Sequence, residues 1–575
     1  MSDAPDTPDT SVGTSADTGS AEQKRILANT AVMAAGTVLS RFSGLIRATL
    51  LAAALGVSLH ADIFTIANTV PNMLYILIAG GVFNAVLVPQ LVRAMKNDTD
   101  GGAAYIDRVM TLAICFLATV TVLLVVAAPW VMQVMLSDKF STPELAAQRQ
   151  SAIDFARFCL PQVFFYGMFA LIGQILNSRG KFGPMMWAPI ANNIISVAVL
   201  VAYLVVFGAA TKSEQQGAFS QNQELVLGIG STLGIATQLL ILVPYLRAAG
   251  VRYRPRFDFR GVGLGQTFKL GVWTVLFVVV NQIAYVVVVR LASGGTASSA
   301  EGTGITIYSS VMLAVMVPHS VITVSLATAI LPRLSASAAR GDLAALGATL
   351  GSTLRSALVV VVPFAALLPA LALPLATVLW GHGATAGKAG RFEPSMVLFG
   401  LGIVAFTVHY LVLRGFYALE RNRAVFFVQC VIAATNIGLA TLLVSRVDDD
   451  HTAPMLVVAY TGAYTVGATI STIVLLRLLR SADATAPRPV ADWLGFVLRL
   501  LVAAGVVLGI SLFLDLVVTD TIAEFVTDPH WTWSVLEAAI VSAGAGGAFL
   551  AAAQLLRLDE VTSVVATVTA RVRRR

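Results

Sequence analysis

The stretch "LSRFSGLIRA" (residues 39–48) places two arginines, Arg41 and Arg47, inside an apolar run long enough to cross a bilayer. A charged side chain at such depth costs a few kcal/mol or more, so the pair calls for a compensating anion. On a helix Arg41 and Arg47 stand about 9 Å apart along the axis. Each is three residues from Gly44, so they project about 60° to either side of it and flank an open notch. Ser40 and Ser43 add hydroxyls along the Arg47 edge. Guanidinium forks grip phosphate oxygens bidentately. Arg41, Arg47, Ser40 and Gly44 therefore form a candidate site for a diphosphate. A plainer reading has Arg47 snorkelling to the interface and Arg41 paired with a structural carboxylate. Arg41 lies about 22 Å beyond Ile26 along a helix, which weighs against snorkelling there.

Asp62 opens the next apolar run. It either pairs with Arg47 as part of a gate or caps its own helix. Arg290 ends the seventh run, where snorkelling competes with a cavity role. Gly80, Gly81, Pro89, Pro363, Pro369 and Pro374 are candidate bending points or packing features. His319 and His409 have the chemistry of a proton relay, with hydrogen-bonded structural roles the simpler reading. Asn192, Asn193, Asn281 and Gln282 suit hydrogen bonds between helices. The glycine-containing "KFGP" (181–184) and "GVGLG" (261–265) lack the Lys-Ser/Thr ending of a phosphate-cradling loop, so no ATP hydrolysis is expected. Cys115, Cys159 and Cys430 all sit in apolar stretches, which argues against a disulfide framework or a metal site.

The elements that carry these residues are membrane spans. Of 575 residues 57% are hydrophobic and 12% charged, and the mean hydropathy is +0.81; soluble domains are about 25% charged. An all-α integral membrane protein is expected, with about fourteen transmembrane helices: 26–57, 62–95, 109–136, 152–177, 183–208, 224–246, 266–291, 304–331, 351–380, 394–419, 424–445, 453–479, 490–516 and 532–556. Residues 1–25 read as a disordered cytoplasmic tail and 557–575 as a basic one. Alternate connections are basic, among them Arg179/Lys181, Arg247 to Arg260, Arg333/Arg340 and Arg421/Arg423. The positive-inside rule then puts both termini in the cytoplasm. Such basic loops explain the net charge of +7 without nucleic acid as a partner.

A repeat is also legible. "GVFNAVLVPQL" (81–91) aligns with "VSLATAILPRL" (324–334) at an offset of 243, and Asn193 with Asn436 at the same offset. Arg47 then falls on Arg290. Two six-helix lobes follow, 26–246 and 266–479, in a parallel pseudo-two-fold repeat, with two C-terminal helices at 490–556. Transporters built this way place substrate between the lobes.

"SRFSGLIR" (40–47), "ADIFTIANTVPN" (61–72), "GGVFNAVLVPQL" (80–91), "ILNSRGKFGPMMWAPIANNI" (175–194), "SLATAILPRLS" (325–335) and "LRGFYAL" (413–419) together resemble the lipid II flippase family, MurJ/MviN. The resemblance implies the same two-lobe fold, within the multidrug/oligosaccharidyl-lipid/polysaccharide exporter superfamily. It implies alternating-access transfer of undecaprenyl-diphosphate-linked disaccharide-pentapeptide to the outer leaflet. It also implies that Arg41, Arg47 and Asp62 carry essential roles, and that the polyprenyl tail lies along the last two helices. Proteobacterial relatives place further arginines in the second and eighth spans; here those stretches read "NMLYILIAGG" and "IYSSVML". Arg290 is the candidate substitute. Neither 266–291 nor 424–445 contains Asp or Glu, so sodium coupling gains no support.

The expected function is thus a flippase in the bacterial inner membrane, needing no cofactor and driven by the membrane potential or an ion gradient. Its expected partners are the lipid-linked precursor, membrane lipid and proteins of cell-wall elongation or division. A polysaccharide-unit or drug exporter of the same superfamily, or a scaffold of the cell-wall machinery, stands as the alternative.

Overall fold

The computed structural model describes residues 14–78, 88–97, 100, 102–259, 264–482, 490–525 and 531–561. No strand occurs among the described residues. The first lobe comprises α1 (Thr14–Leu55), α2 (Leu59–Tyr75), α3 (Val88–Asn97), α4 (Ala103–Val126), α5 (Ala128–Met135), α6 (Ala146–Cys159), α7 (Gln162–Ser178), α8 (Gly183–Phe207) and α9 (Gln221–Ala248). The second holds α10 (Leu264–Ser298), α11 (Ile305–Val315), α12 (Val324–Ala339), α13 (Leu343–Trp380), α14 (Glu393–Ala418), α15 (Asn422–Val444) and α16 (Thr452–Ala482). Two last helices, α17 (Val490–Phe525) and α18 (Trp531–Leu555), follow. Fourteen segments among the described residues are long and apolar enough to span a membrane, in the order the hydropathy predicts. This is a multi-pass membrane protein.

Two differences from expectation have local causes. The N-terminal helix begins at Thr14, so the tail expected to be disordered through residue 25 is helical from there; "SAEQKR" is made of serviceable helix formers that extend the span. Residues 1–13, like Gly80 and Gly81, lie outside the described residues. The eighth span is also not continuous. α11 stops near Pro318, whose ring cannot continue the hydrogen-bond ladder, and a π turn at His319–Thr323 leads into α12. The second span carries its own π turn at 76–78. That turn falls on the first at the offset of 243, so the repeat read from a few side chains is also a repeat of backbone breaks.

The packing shows how the lobes meet. One apolar core joins them on a single face, running through Leu55, Leu59, Ile63, Phe155, Val289, Ile305, Trp380, Phe392 and Leu456. Toward the other face the core divides. Leu91, Ile106, Phe169 and Leu242 form a cluster in the first lobe, whereas Leu334, Leu346, Phe416 and Leu475 form another in the second. The lobes are therefore sealed on one face and part toward the face that carries the arginine-rich connections. The final helix pair docks on α13 through Phe496, Leu500 and Ala553. It turns Leu498, Leu501, Phe513 and Leu516 outward, as a lipid-facing surface requires.

Candidate functional site

Gly44 positions the site differently from the open notch expected. It faces α8, where Asn193 Nδ2 donates to the Ser40 carbonyl (3.1 Å) and the Ser43 hydroxyl (2.8 Å). A Cβ at Gly44 would lie 3.8 Å from that same nitrogen. Asn193 fills the notch, so Gly44 seats α1 on α8, with the Ser40 carbonyl and the Ser43 hydroxyl as the anchoring acceptors. Asn193 thereby takes the interhelical role expected of it, and Asn281 does likewise, accepting from Gln429 at 3.2 Å.

Because Gly44 is turned into the lobe, the two arginines that flank it diverge. Arg41 is exposed in the cleft and lies within electrostatic reach of His319 on the π turn of the second lobe. A third cation, Arg414 on α14, acts on the same histidine. Its guanidinium stacks over Tyr410 at 4.2 Å, and its Nε is buried without a hydrogen-bond partner. Counted from the sealed ends of their helices, Arg41 and His319 both lie about 21 Å down and Arg414 about 31 Å down. Arg47 lies about 12 Å down and turns the other way, into a cavity of about 70 Å³ within the first lobe. Asn68, Gln162, Tyr166, Asn192 and Ser231 give that cavity a polar lining with no carboxylate. None of the three arginines has a hydrogen bond or an acidic partner among the described residues.

Asp62 does not pair with Arg47. It is fully buried and reaches across to the second lobe, where its carboxylate accepts from Thr296 Oγ1 (2.8 Å), Ile305 N (3.2 Å) and Thr306 N (2.9 Å). Gly304, the N-cap of α11, has no side chain to satisfy those amides. Asp62 of the opposite lobe serves instead, with its charge at the positive end of the helix. Asp62 and Ile305 are 243 residues apart, the repeat offset itself. Residues related by a two-fold axis touch each other only near that axis, so this contact marks it. A Cβ at Gly304 would overlap the Asp62 carboxylate. Gly304→Ala is accordingly expected to loosen the sealed face, making a cysteine at the buried position of Ala61 reactive to an impermeant maleimide.

For Arg290, where snorkelling competed with a cavity role, the structure shows other work. Its Nη1 donates to the carbonyls of Gln133 (2.8 Å), Val134 (3.2 Å) and Leu136 (2.6 Å) at the end of α5. Its Nη2 meets Asp138 at 2.6 Å. A cation at a helix C-terminus is favourable on its own, and here it ties the lobes together. Nearby, Lys139 reaches the Gly294 carbonyl (3.0 Å) and Asp449 (3.1 Å), and Thr65 meets Thr306 at 3.0 Å. Arg290→Gln is therefore expected to leave substrate affinity unchanged while raising reactivity on the sealed face; weakened affinity with a shut face would contradict this assignment.

The two histidines are held by hydroxyls: His319 by Thr407 (2.9 Å) and His409 by Ser471 (3.1 Å). Arg414 was missed by sequence reasoning because it stands four residues from the end of its helix, where an arginine reads as an interface anchor. Its flanking tyrosines, Tyr410 and Tyr417, were the available signal.

Two lobes sharing a core on one face, with unneutralised arginines in the cleft between them, define a transporter of the alternating-access kind. Among solved structures the chain is similar to "Lipid II flippase MurJ, inward closed conformation" (TM-score 0.67, 17% identity, 92% of this chain and 99% of that one). It is also similar to an inward-facing multidrug transporter of the MOP superfamily (TM-score 0.57, 14% identity, 79% and 96%). Residues 51–526 match the family described as lipid II flippase MurJ, and the chain belongs to that family. The probable lipid II flippase MurJ of Haemophilus influenzae is 26% identical over 78% of this chain and 85% of its own length. The lipid II flippase MurJ of Burkholderia cenocepacia is 26% identical over 82% and 87%. The family match begins four residues beyond Arg47, so the placement of Arg41 and Arg47 rests on the geometry of α1.

Proposed function

We propose that this protein moves undecaprenyl-diphosphate-linked disaccharide-pentapeptide from the inner to the outer leaflet of the bacterial cytoplasmic membrane. The observation that carries the reading is the pair Arg41 and Arg414, two cations without carboxylate partners that face one cleft from opposite lobes. A diphosphate has the charge and the oxygen geometry to satisfy both. Arg47 lies nearer the sealed face and serves the separate polar cavity of the first lobe, outside this cleft. In this reading the basic face is cytoplasmic, the headgroup enters from it, and the polyprenyl chain stays in lipid along the outward face of the last helix pair. Release of Asp62 and Arg290 from the opposite lobe then opens the sealed face. An inside-negative potential favours outward movement of an anion by about 2.3 kcal/mol per charge per 100 mV, a driving force that needs no cofactor. The test is expression of this chain in bacteria depleted of their own lipid II flippase. Restored growth with precursor reaching the outer leaflet is expected; persistent accumulation of the precursor inside would overturn the proposal.

A further inference from the structure

The connection between the lobes offers a separate surface. After α9 the chain runs extended through "VRYRPRFDF" (251–259) and lies along the first turns of α4. Asp107 accepts from the Arg254 amide (3.1 Å), Thr111 from the Arg256 amide (3.0 Å), and Thr111 also meets the Tyr253 hydroxyl (3.0 Å). Arg108 pairs with Asp258 at 2.6 Å and holds that carboxyl below its ordinary range. Thr111 sits about 12 Å along α4 from its start, so the strap packs against the first turns of a membrane-spanning helix. Two aromatics near its end stay uncovered: Phe257 is 70% exposed and Phe259 39%. Arg252 and Arg254 stand exposed on the same strap, and neither side chain has a partner among the described residues. Asp258 is already answered by Arg108, while Arg256 has Asp100 and Asp258 within electrostatic reach.

We infer that this strap is a binding site for an anionic phospholipid of the leaflet at the basic face, the phosphate held by Arg252 and Arg254 and the acyl chain lying on Phe257 and Phe259. Exposed apolar rings beside exposed cations on a segment packed against a membrane-spanning helix form the pattern of an interfacial lipid contact, and the headgroup's negative charge complements the two arginines. The strap also joins the lobes, so a lipid bound there would bridge the hinge about which they move.

The test is native mass spectrometry of the full-length protein released from membranes containing phosphatidylglycerol and phosphatidylcholine. Wild type is expected to retain phosphatidylglycerol selectively. Arg252→Gln/Arg254→Gln is expected to lose about 25-fold in that retention, roughly fivefold per arginine. Phe257→Ala/Phe259→Ala is expected to weaken retention of both lipids, and Arg252→Lys/Arg254→Lys to preserve it. Arg477→Gln/Arg480→Gln removes the same charge from another connection on the basic face and serves as the control. Equal loss in that control, or undiminished retention in Arg252→Gln/Arg254→Gln, would overturn the assignment.

Discussion

Arg41→Ala is expected to slow precursor translocation about thirtyfold, because a charge-assisted bidentate contact to phosphate is worth about 2 kcal/mol. The loss should appear in substrate binding at the open face as well as in turnover. Arg41 has no structural partner to disrupt: it makes no hydrogen bond among the described residues, and α1 is seated by Asn193 on its other side. Stability should therefore change little, which separates this variant from a folding defect. Arg41→Lys keeps the charge but loses the planar fork, and should recover only part of the activity. The assay is transfer of fluorescent lipid II across vesicles containing the purified protein, with thermal unfolding measured in parallel. Full activity for Arg41→Ala would remove this residue from the route.

Asp62→Asn is expected to have the second large effect, acting on conformation rather than on substrate binding. The native carboxylate receives three donors from the second lobe, all in a site closed to water. An amide of the same shape offers one acceptor oxygen and turns an NH2 toward groups that also donate. Leaving a buried donor unsatisfied costs about 1–3 kcal/mol; at 2 kcal/mol the equilibrium between closed and open sealed faces moves about thirtyfold. Ala61→Cys in the Asp62→Asn background should then react with an impermeant maleimide, whereas the same cysteine beside native Asp62 should stay protected. Transport should fall because the protein dwells in the wrong conformation, even though Asp62 touches no substrate. Unchanged protection would show that the shared apolar core holds the face shut without this carboxylate.

Much of the architecture was legible because membrane spans write themselves in hydropathy, and the fourteen runs reappear in order. The parallel repeat was legible from Pro89 with Pro332 and Asn193 with Asn436, and the backbone adds the paired π turns. The chemistry was half legible. Arg41 and Arg47 were visible as cations in an apolar run, but their directions depended on which side of α1 meets α8. A glycine between two arginines reads equally as an opening or as a packing seat, and Asn193 makes it the seat. Arg290 was read through its repeat relation to Arg47, yet the two lobes use that position differently. Arg47 faces a cavity of its own lobe, while Arg290 holds carbonyls of the other. Sequence cannot show that difference, because most partners of Arg290 are backbone atoms, and all lie more than 150 residues away. The role of Asp62 was hidden for the same reason: its main partners are amide groups.

The most direct measurement is equilibrium binding of lipid II to the full-length protein in nanodiscs, compared among wild type, Arg41→Gln, Arg414→Gln and the double variant. If both arginines grip one diphosphate, each single change weakens binding about thirtyfold, and in the double variant the losses fail to add, because residues sharing one partner are coupled. Undecaprenol without phosphate should bind all four proteins alike. Wild-type affinity in the double variant would contradict the account.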